Sequence, residues 1–220
     1  MKDQQNYLTI KQNGTHEIII KKSRFIATLV RTQTVEEADQ AIATISQKYH
    51  DATHNTFAYT IGLNDDQVKA SDNGEPSGTA GVPELKALQL MKLKNVTVVV
   101  TRYFGGIKLG AGGLIRAYSN SVTEAAEAIG VVKRVQQQGL KFQVDYKNFD
   151  EIQYYLNQNQ IFIDQIEYGV KVAITLFIDE NKLEQLKNDL NNLLAGKVNF
   201  ELVPKRYNEI DIANFNYHDQ

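Results

Sequence analysis

The chain has 220 residues, of which 42% are hydrophobic and 23% charged, and its formal net charge is −2. This composition is that of an ordinary globular protein, long enough for one large or two small domains with their own cores. No apolar run reaches the roughly 18 residues of a membrane span, and the N-terminal residues lack the apolar core of a signal peptide. The absence of cysteine excludes disulfides and thiolate chemistry. We therefore expect a cytoplasmic protein with no membrane partner.

The first half of the chain alternates strand and helix patterns. Strands are predicted at residues 16–20, 24–31, 55–62, 67–70 and 96–102, and residues 131–137 could form one more. Helices are predicted at residues 34–49, 83–92 and 113–129. Thr34 suits an N-cap, because its hydroxyl can accept a backbone hydrogen bond and acidic residues follow it in the first turn.

The second half has the element order of a ferredoxin-like βαββαβ domain. Its predicted elements are a strand at 140–146, a helix at 148–157, strands at 161–167 and 170–178, a helix from 179 or 180 that ends at Gly196, and a strand at 198–203. We expect an α+β protein with domains at 1–136 and 139–207, joined at the polar residues 136–139. A loose polar tail is expected at 208–220.

Positive charge is concentrated in the first half of the chain. Residues 1–137 contain 16 Lys and Arg against 13 Asp and Glu, whereas residues 138–220 contain 8 against 13. A site for an anionic ligand is therefore expected in the first half.

A glycine-rich segment follows the predicted strand at 96–102 and leads into a helix. Its five glycines are Gly105, Gly106, Gly110, Gly112 and Gly113. The spacing fits neither a Walker A motif nor a dinucleotide fingerprint. Two explanations stay open: the glycines allow unusual φ angles and close packing, or they let backbone N–H groups approach an anion. Arg102, Lys108 and Arg116 bracket this segment and would supply positive charge.

A second polar loop occupies residues 71–81. Asp72 and Glu75 could bind a metal, act as a catalytic base, or hold basic residues of the glycine-rich segment. Ser77 and Thr79 could donate hydrogen bonds to a phosphate. A turn without a function is the alternative, because Gly, Pro, Asn and Ser are common turn residues. Asp72, Glu75 and Ser77 are thus weak catalytic candidates.

Other candidate residues have a structural explanation of equal weight. His50 and His54 have the i,i+4 spacing of a zinc site, but no third ligand is evident and a histidine also suits a helix C-terminus. We therefore assign no metal. Lys22 and Arg24 lie at a turn and could contact a phosphate backbone or simply be solvated. Most aromatic side chains, Phe104 among them, lie at core spacing and are expected to pack inside.

Four motifs carry a resemblance to a known family. They are KSRFIA at 22–27, HDATH at 50–54, SDNGEPSGTAG at 71–81 and VVTRYFGGIKLGAGGLIRAY at 99–118. In this order they closely resemble the bacterial members of the Impact family, the YigZ-type proteins, over nearly the whole chain. Asn73 departs from the pattern, since many relatives have Asp there, and this weakens any role that needs two adjacent carboxylates.

The resemblance implies both a fold and a theme of function. The first domain would have the topology of the second domain of small-subunit ribosomal protein five, which elongation factor G and galactokinase-related kinases share. The second domain would resemble the last domain of elongation factor G. The ribosomal analogues point to RNA or ribosome binding and translational control. Eukaryotic Impact proteins restrain a translation-factor kinase by binding its activator, and only that theme carries over to bacteria.

The leading hypothesis is a non-catalytic protein that binds RNA or a ribonucleoprotein in translation or its stress response, without a cofactor. Its phosphate-binding residues would be Lys22, Arg24, Arg102, Lys108 and Arg116, with backbone N–H groups of residues 105–113. An enzyme or small-ligand binder for a phosphorylated metabolite or nucleotide is the alternative. A third possibility is a protein-interaction module, and the acidic second domain would suit a protein partner better than a nucleic acid.

Overall fold

The computed structural model describes residues 6–213 and 215. The strands are β1 (Tyr7–Ile10), β2 (Gly14–Ile20), β3 (Ser23–Arg31), β4 (His54–Ile61), β5 (Gln67–Ser71), β6 (Val96–Tyr103), β7 (Val131–Val144), β8 (Ile163–Tyr168), β9 (Val172–Asp179) and β10 (Phe200–Asp211). The helices are α1 (Val35–Lys48), α2 (Gly81–Leu90), α3 (Ala111–Ile129), α4 (Tyr146–Gln158) and α5 (Leu183–Leu193). No helix within these described residues is long and apolar enough to cross a membrane.

The chain folds into two compact units. The N-terminal unit is formed by Tyr7–Arg134 with residues 210–213 and 215, and the C-terminal unit by Val135–Glu209 with Asn6. The expected α+β fold class with two domains is confirmed. The division falls between Arg134 and Val135, close to the predicted join.

The N-terminal unit is built on an antiparallel sheet with the strand order β2-β3-β6-β4-β5. The central strand β6 is buried from Val96 to Arg102, because helices cover both faces of the sheet. One face packs against α2 and α3 in the main core, which contains Phe25 and Tyr118. The other face carries α1, whose Ala38 packs near Tyr59. Thr34 caps α1 as predicted, since its hydroxyl accepts a hydrogen bond from the backbone N–H of Glu37.

The C-terminal unit has the strand order β10-β7-β9-β8, with α4 and α5 connecting strands in the ferredoxin-like pattern. Its core lies between the sheet and the two helices and contains Leu140, Phe142, Ile152, Ile174 and Leu186. The predicted ferredoxin-like order is confirmed.

Strand lengths differ from the sequence-based predictions in two places. The predicted strands at 131–137 and 140–146 are one unbroken strand, β7, because Gly139 lies inside the sheet, where a Cβ would come 2.2 Å from Val203 and 2.8 Å from Phe177. β10 continues through Pro204 to Asp211, and Phe215 is buried in the main core. The expected loose tail at 208–220 is therefore wrong up to Ile212 and at Phe215; residue 213 is an exposed turn residue, and residues 214 and 216–220 lie outside the described part of the chain.

Three further differences are local. β1 was not predicted, and it pairs antiparallel with residues 131–134 of β7. Helix α4 begins at Tyr146 with Asp145 at its N-cap, rather than at Asn148. The prediction that Gly196 is the C′ residue of the last helix is one position off: Ala195 occupies C′ in the left-handed conformation, and the N–H of Gly196, the next residue, bonds to the carbonyl of Asn191.

Candidate nucleic-acid interface

A buried ion pair joins the loop at 71–81 to the end of β6. Nη1 of Arg102 lies 2.6 Å from Oε1 of Glu75, and the phenol of Tyr118 on α3 donates to the same oxygen over 2.6 Å. All three side chains are buried. Burial and the hydrogen bond to Glu75 raise the pKa of Tyr118 above its usual value, so the phenol stays protonated and acts as the donor.

Arg102 is enclosed on its other sides as well. Its guanidinium carbon lies 5.2 Å from the ring centroid of Phe25 and 5.5 Å from that of Phe104. Nη2 donates to the hydroxyl of Ser23, which also accepts the backbone N–H of Gly105. The prediction that Arg102 contacts a phosphate is therefore corrected: its charge is used inside the protein to hold Glu75.

Packing and backbone conformation explain three of the five glycines. A Cβ at Gly105 would lie 2.1 Å from the carbonyl carbon of Lys22, so only glycine fits against the β2–β3 turn. Gly106 and Gly110 have φ angles of +82° and +72°, and Gly110 is the N-cap of α3. Gly112, by contrast, has open space at its Cα. The structural explanation therefore accounts for Gly105, Gly106 and Gly110, and it gives no reason for a bare backbone at Gly112.

Three basic side chains around this segment point into solvent. Lys22, Lys108 and Arg116 are exposed and form no ion pair within the part of the chain that the structure describes. Residues 85–123 contain six Lys and Arg and no Asp or Glu. The positive charge here is thus not neutralised by neighbours in sequence.

Exposed apolar side chains lie among these cations. Phe104 is 46% exposed, and Ile107 and Ile115 are exposed to a similar extent. The expectation that Phe104 packs in the core is therefore wrong. We call the surface formed by Lys22, Phe104, Ile107, Lys108, Ile115 and Arg116 the basic loop surface. Residues 104–116 are one segment, and Gly105 of that segment packs directly on the backbone of Lys22.

Arg24 does not belong to the basic loop surface. Its Nε and Nη2 each donate to the carboxylate of Glu17 over 2.9 Å, and these bonds lower the pKa of Glu17. Strand alternation directs Arg24 to the face of the sheet opposite to that of its neighbour Phe25. Its contact with phosphate stays a prediction, and any such contact would compete with Glu17 for the guanidinium.

Asp72 organises the second loop. Its Oδ2 accepts the backbone N–H of Gly78, and its Oδ1 accepts those of Ala80 and Gly81 at the start of α2. Burial raises the pKa of Asp72, but the three N–H bonds outweigh it and the net pKa lies below the usual value. A carboxylate with both oxygens occupied is a poor base, so the structure argues against a catalytic role for Asp72.

The remaining loop candidates divide into buried and exposed positions. Thr79 is buried, and its hydroxyl donates to the carbonyl of Pro76 over 2.6 Å rather than to a ligand. Ser77 is exposed. Glu75 takes the third role considered for it, since it holds Arg102, a basic residue of the glycine-rich segment.

Sequence reasoning missed Glu84, the most deeply buried acid of this region. Glu84 is 0% exposed, its Oε1 accepts the hydroxyl of Thr56, and its Oε2 has no hydrogen-bond partner in the described part of the chain. Burial raises the pKa of Glu84 well above its usual value. No sequence signal marked it, because a Glu in the first turn of a helix ordinarily faces solvent and favours the dipole.

The two histidines lie outside any common helix face. α1 ends at Lys48, so the i,i+4 spacing of His50 and His54 is not helical. His50 bonds through Nδ1 to the carbonyl of Gln47. Nε2 of His54 lies 3.9 Å from Oε1 of Glu75. No group of three or more His, Cys, Asp or Glu side chains is placed to hold a metal within the described residues.

Comparison with known proteins identifies the family. Residues 21–126 match the Impact N-terminal domain, and residues 142–197 match a domain of unknown function, DUF1949. IMPACT family member YvyE of Bacillus subtilis is 45% identical over 192 residues, which is 87% of this chain and 88% of that protein. IMPACT family member YigZ of Escherichia coli is 33% identical, over 81% of this chain and 89% of that protein. The chain belongs to the IMPACT family.

A solved structure has the same fold. It is titled "Crystal structure of an hypothetical protein", is 30% identical in sequence and matches with a TM-score of 0.57. The match covers 90% of this chain and 98% of that one. The two-domain architecture is therefore common to both proteins.

Proposed function

We propose that the protein binds RNA, free or within a ribonucleoprotein such as the ribosome, through the basic loop surface and without catalysing a reaction. The observation that carries the proposal is that Lys22, Lys108 and Arg116 are exposed and form no ion pair within the described residues, and that residues 85–123, which include two of them, contain no Asp or Glu. Phosphate groups are the most abundant anions that RNA presents, and Lys and Arg supply most of the contacts to them.

The first turn of α3 supports the same proposal. α3 begins at Ala111, no side chain caps it, and no acidic residue lies in its first turn. Its leading N–H groups therefore add partial positive charge beside Lys108 and Arg116. The open space at Gly112 leaves this backbone accessible.

The internal use of the acidic loop residues argues for binding rather than catalysis. Asp72 is occupied by three backbone donors, and Glu75 by Arg102 and Tyr118. A general base needs a free lone pair at the surface where substrate binds. Asp72 and Glu75 therefore give no support to the alternative hypothesis that the protein is an enzyme.

A role in translation or its stress response is the narrower part of the proposal. It rests on the family resemblance and the ribosomal analogues of both domains, which are associational evidence. The physical part, cationic binding to RNA, stands independently of it.

Co-purification tests the proposal. The protein would be isolated from its own cells at low salt, with and without nuclease, and co-eluting RNA identified. We expect ribosomal or other RNA with the wild type and its loss with Lys108→Ala/Arg116→Ala. The control Lys147→Ala/Lys182→Ala removes the same charge from exposed positions of the C-terminal unit and should retain the RNA. RNA-free wild-type protein, or equal recovery with both variants, contradicts the proposal.

A further inference from the structure

We propose that the basic loop surface selects single-stranded RNA, and that Phe104 is the platform on which an unpaired base stacks. This inference rests on the proposed RNA binding. It adds the class of RNA and names the residue that recognises it.

Phe104 is held in place before any ligand binds. Its backbone N–H donates to the hydroxyl of Thr53 over 3.0 Å. The guanidinium of Arg102 lies 5.5 Å from the centroid of the Phe104 ring. Arg102 is in turn fixed by its ion pair with Glu75. With 46% of the residue exposed, the rest of the ring faces solvent. The backbone of Phe104 is thus tied to Thr53 and its ring lies against the buried guanidinium of Arg102, so little ordering is needed when a base binds.

The mixture of side chains on this surface distinguishes the class of RNA. Cations alone suffice for a duplex, whose backbone phosphates face outward while its bases stay stacked on each other. Exposed Phe104, Ile107 and Ile115 gain nothing from phosphates. An unpaired base offers an apolar face, and aromatic stacking is the common way in which proteins bind single strands. Phe104 precedes Gly105, which packs on Lys22, and Lys108 follows four residues later in the chain, a combination that suits a strand presenting a base and phosphates together.

The chain offers a clean reporter, because it contains no tryptophan. Phe104→Trp places a single indole at the platform, and stacking of a base quenches its fluorescence. The probes are a mixed-sequence RNA strand of about 12 nucleotides, a length within the range of single-strand sites, and the duplex of the same sequence. We expect quenching by the single strand and none by the duplex.

Affinity measurements complete the test. Phe104→Ala should weaken single-strand binding by about tenfold or more, as expected for loss of one stacked base, and leave duplex binding unchanged. Phe104→Leu keeps apolar bulk without a ring and should lose most of the same affinity. Tyr154→Ala removes a more exposed aromatic ring, from α4, and should bind as the wild type does. Thermal unfolding checks that each variant is folded.

The outcomes separate this inference from the proposed function. If single strand and duplex bind alike and Phe104→Ala changes neither, the inference is overturned while cationic RNA binding stands. If Phe104→Trp is unquenched although the single strand binds, the platform is wrong. If neither RNA binds the wild type, the proposed function itself fails.

Discussion

Glu75 and Arg102 form a buried ion pair with 2.6 Å between Oε1 and Nη1, and this pair fastens the loop at 71–81 to the strand that leads into the basic loop surface. Both side chains are at least nine-tenths buried. Removing one partner of a buried ion pair is costly, because the charge of the other partner is then buried without a counter-ion.

Glu75→Gln should therefore destabilise the protein strongly. The variant leaves the guanidinium of Arg102 charged and buried without a counter-ion, and we expect a loss of about 3–5 kcal/mol in the free energy of unfolding. Urea denaturation measures it. The control Glu151→Gln neutralises an exposed carboxylate and should change stability by less than about 0.5 kcal/mol. A Glu75→Gln variant as stable as the control would contradict the role of the pair.

Asp72→Asn should loosen the loop at 71–81. The amide group of Asn can accept from only one side, so at least one of the N–H groups of Gly78, Ala80 and Gly81 loses its partner. Hydrogen bonds to a charged group contribute about 1.5–3 kcal/mol each, and the loss should lie near the lower end for this half-exposed residue.

The Asp72 carboxylate should also make the stability of the protein depend on pH in the acid range. The pKa of Asp72 is lowered in the folded state, so its contribution is present above its unfolded pKa of about 3.8 and is lost as the pH falls through the lower folded value. The stability difference between wild type and Asp72→Asn, measured by denaturation from neutral pH downward, should shrink below that pH. A constant difference would show that the charge is not involved.

Glu84→Gln should stabilise the protein, and its effect should grow as the pH rises. The pKa of Glu84 is raised in the folded state, so ionisation opposes folding from its unfolded pKa of about 4.5 upward until the folded pKa is reached. The neutral amide removes this penalty, and the variant should gain stability relative to the wild type as the pH rises above 4.5. Denaturation at pH values across this interval measures the gain. A gain that does not grow with pH would mean that Glu84 does not titrate there.

Lys22→Gly should stabilise the fold while it weakens RNA binding. Lys21 and Lys22 form the two-residue turn between β2 and β3 with φ angles of +48° and +66°, a conformation that glycine adopts more easily. We expect a gain of up to about 1 kcal/mol. Lys22→Ala removes the same charge but keeps the strain, so it should weaken binding without the gain. Unchanged RNA affinity in both variants would exclude Lys22 from the interface.

Local patterns in the sequence were sufficient for most of the fold. The amphipathic spacing and Thr34 defined α1, and the element order of the second half defined the ferredoxin-like domain. Gly139 ends the polar run of residues 136–138, a pattern typical of a linker, whereas in the structure it makes room for Phe177 and Val203, which are distant in sequence. Pro204 predicts the end of a strand, because proline has no N–H to donate, yet β10 continues through it to Asp211.

The candidate site was predictable only in part. The glycine-rich segment and its cations were visible in the sequence, but burial decides which cations face solvent. Arg102 and Lys108 look equivalent in sequence, yet Arg102 is buried in an ion pair with Glu75 and Lys108 is exposed. The exposure of Phe104 had no sequence signal, since an aromatic residue at a strand end usually packs in the core. The translational role stays a prediction.

The most direct test of the central claim is the salt dependence of RNA affinity for the wild type and Lys108→Ala/Arg116→Ala, measured by fluorescence anisotropy with a single-stranded probe. Cationic contacts to phosphate predict an affinity that falls linearly on a log–log plot with salt, and the loss of two contacts should reduce the slope by about 1.4. Binding that is insensitive to salt, or a slope that the double variant leaves unchanged, would contradict RNA recognition by the basic loop surface.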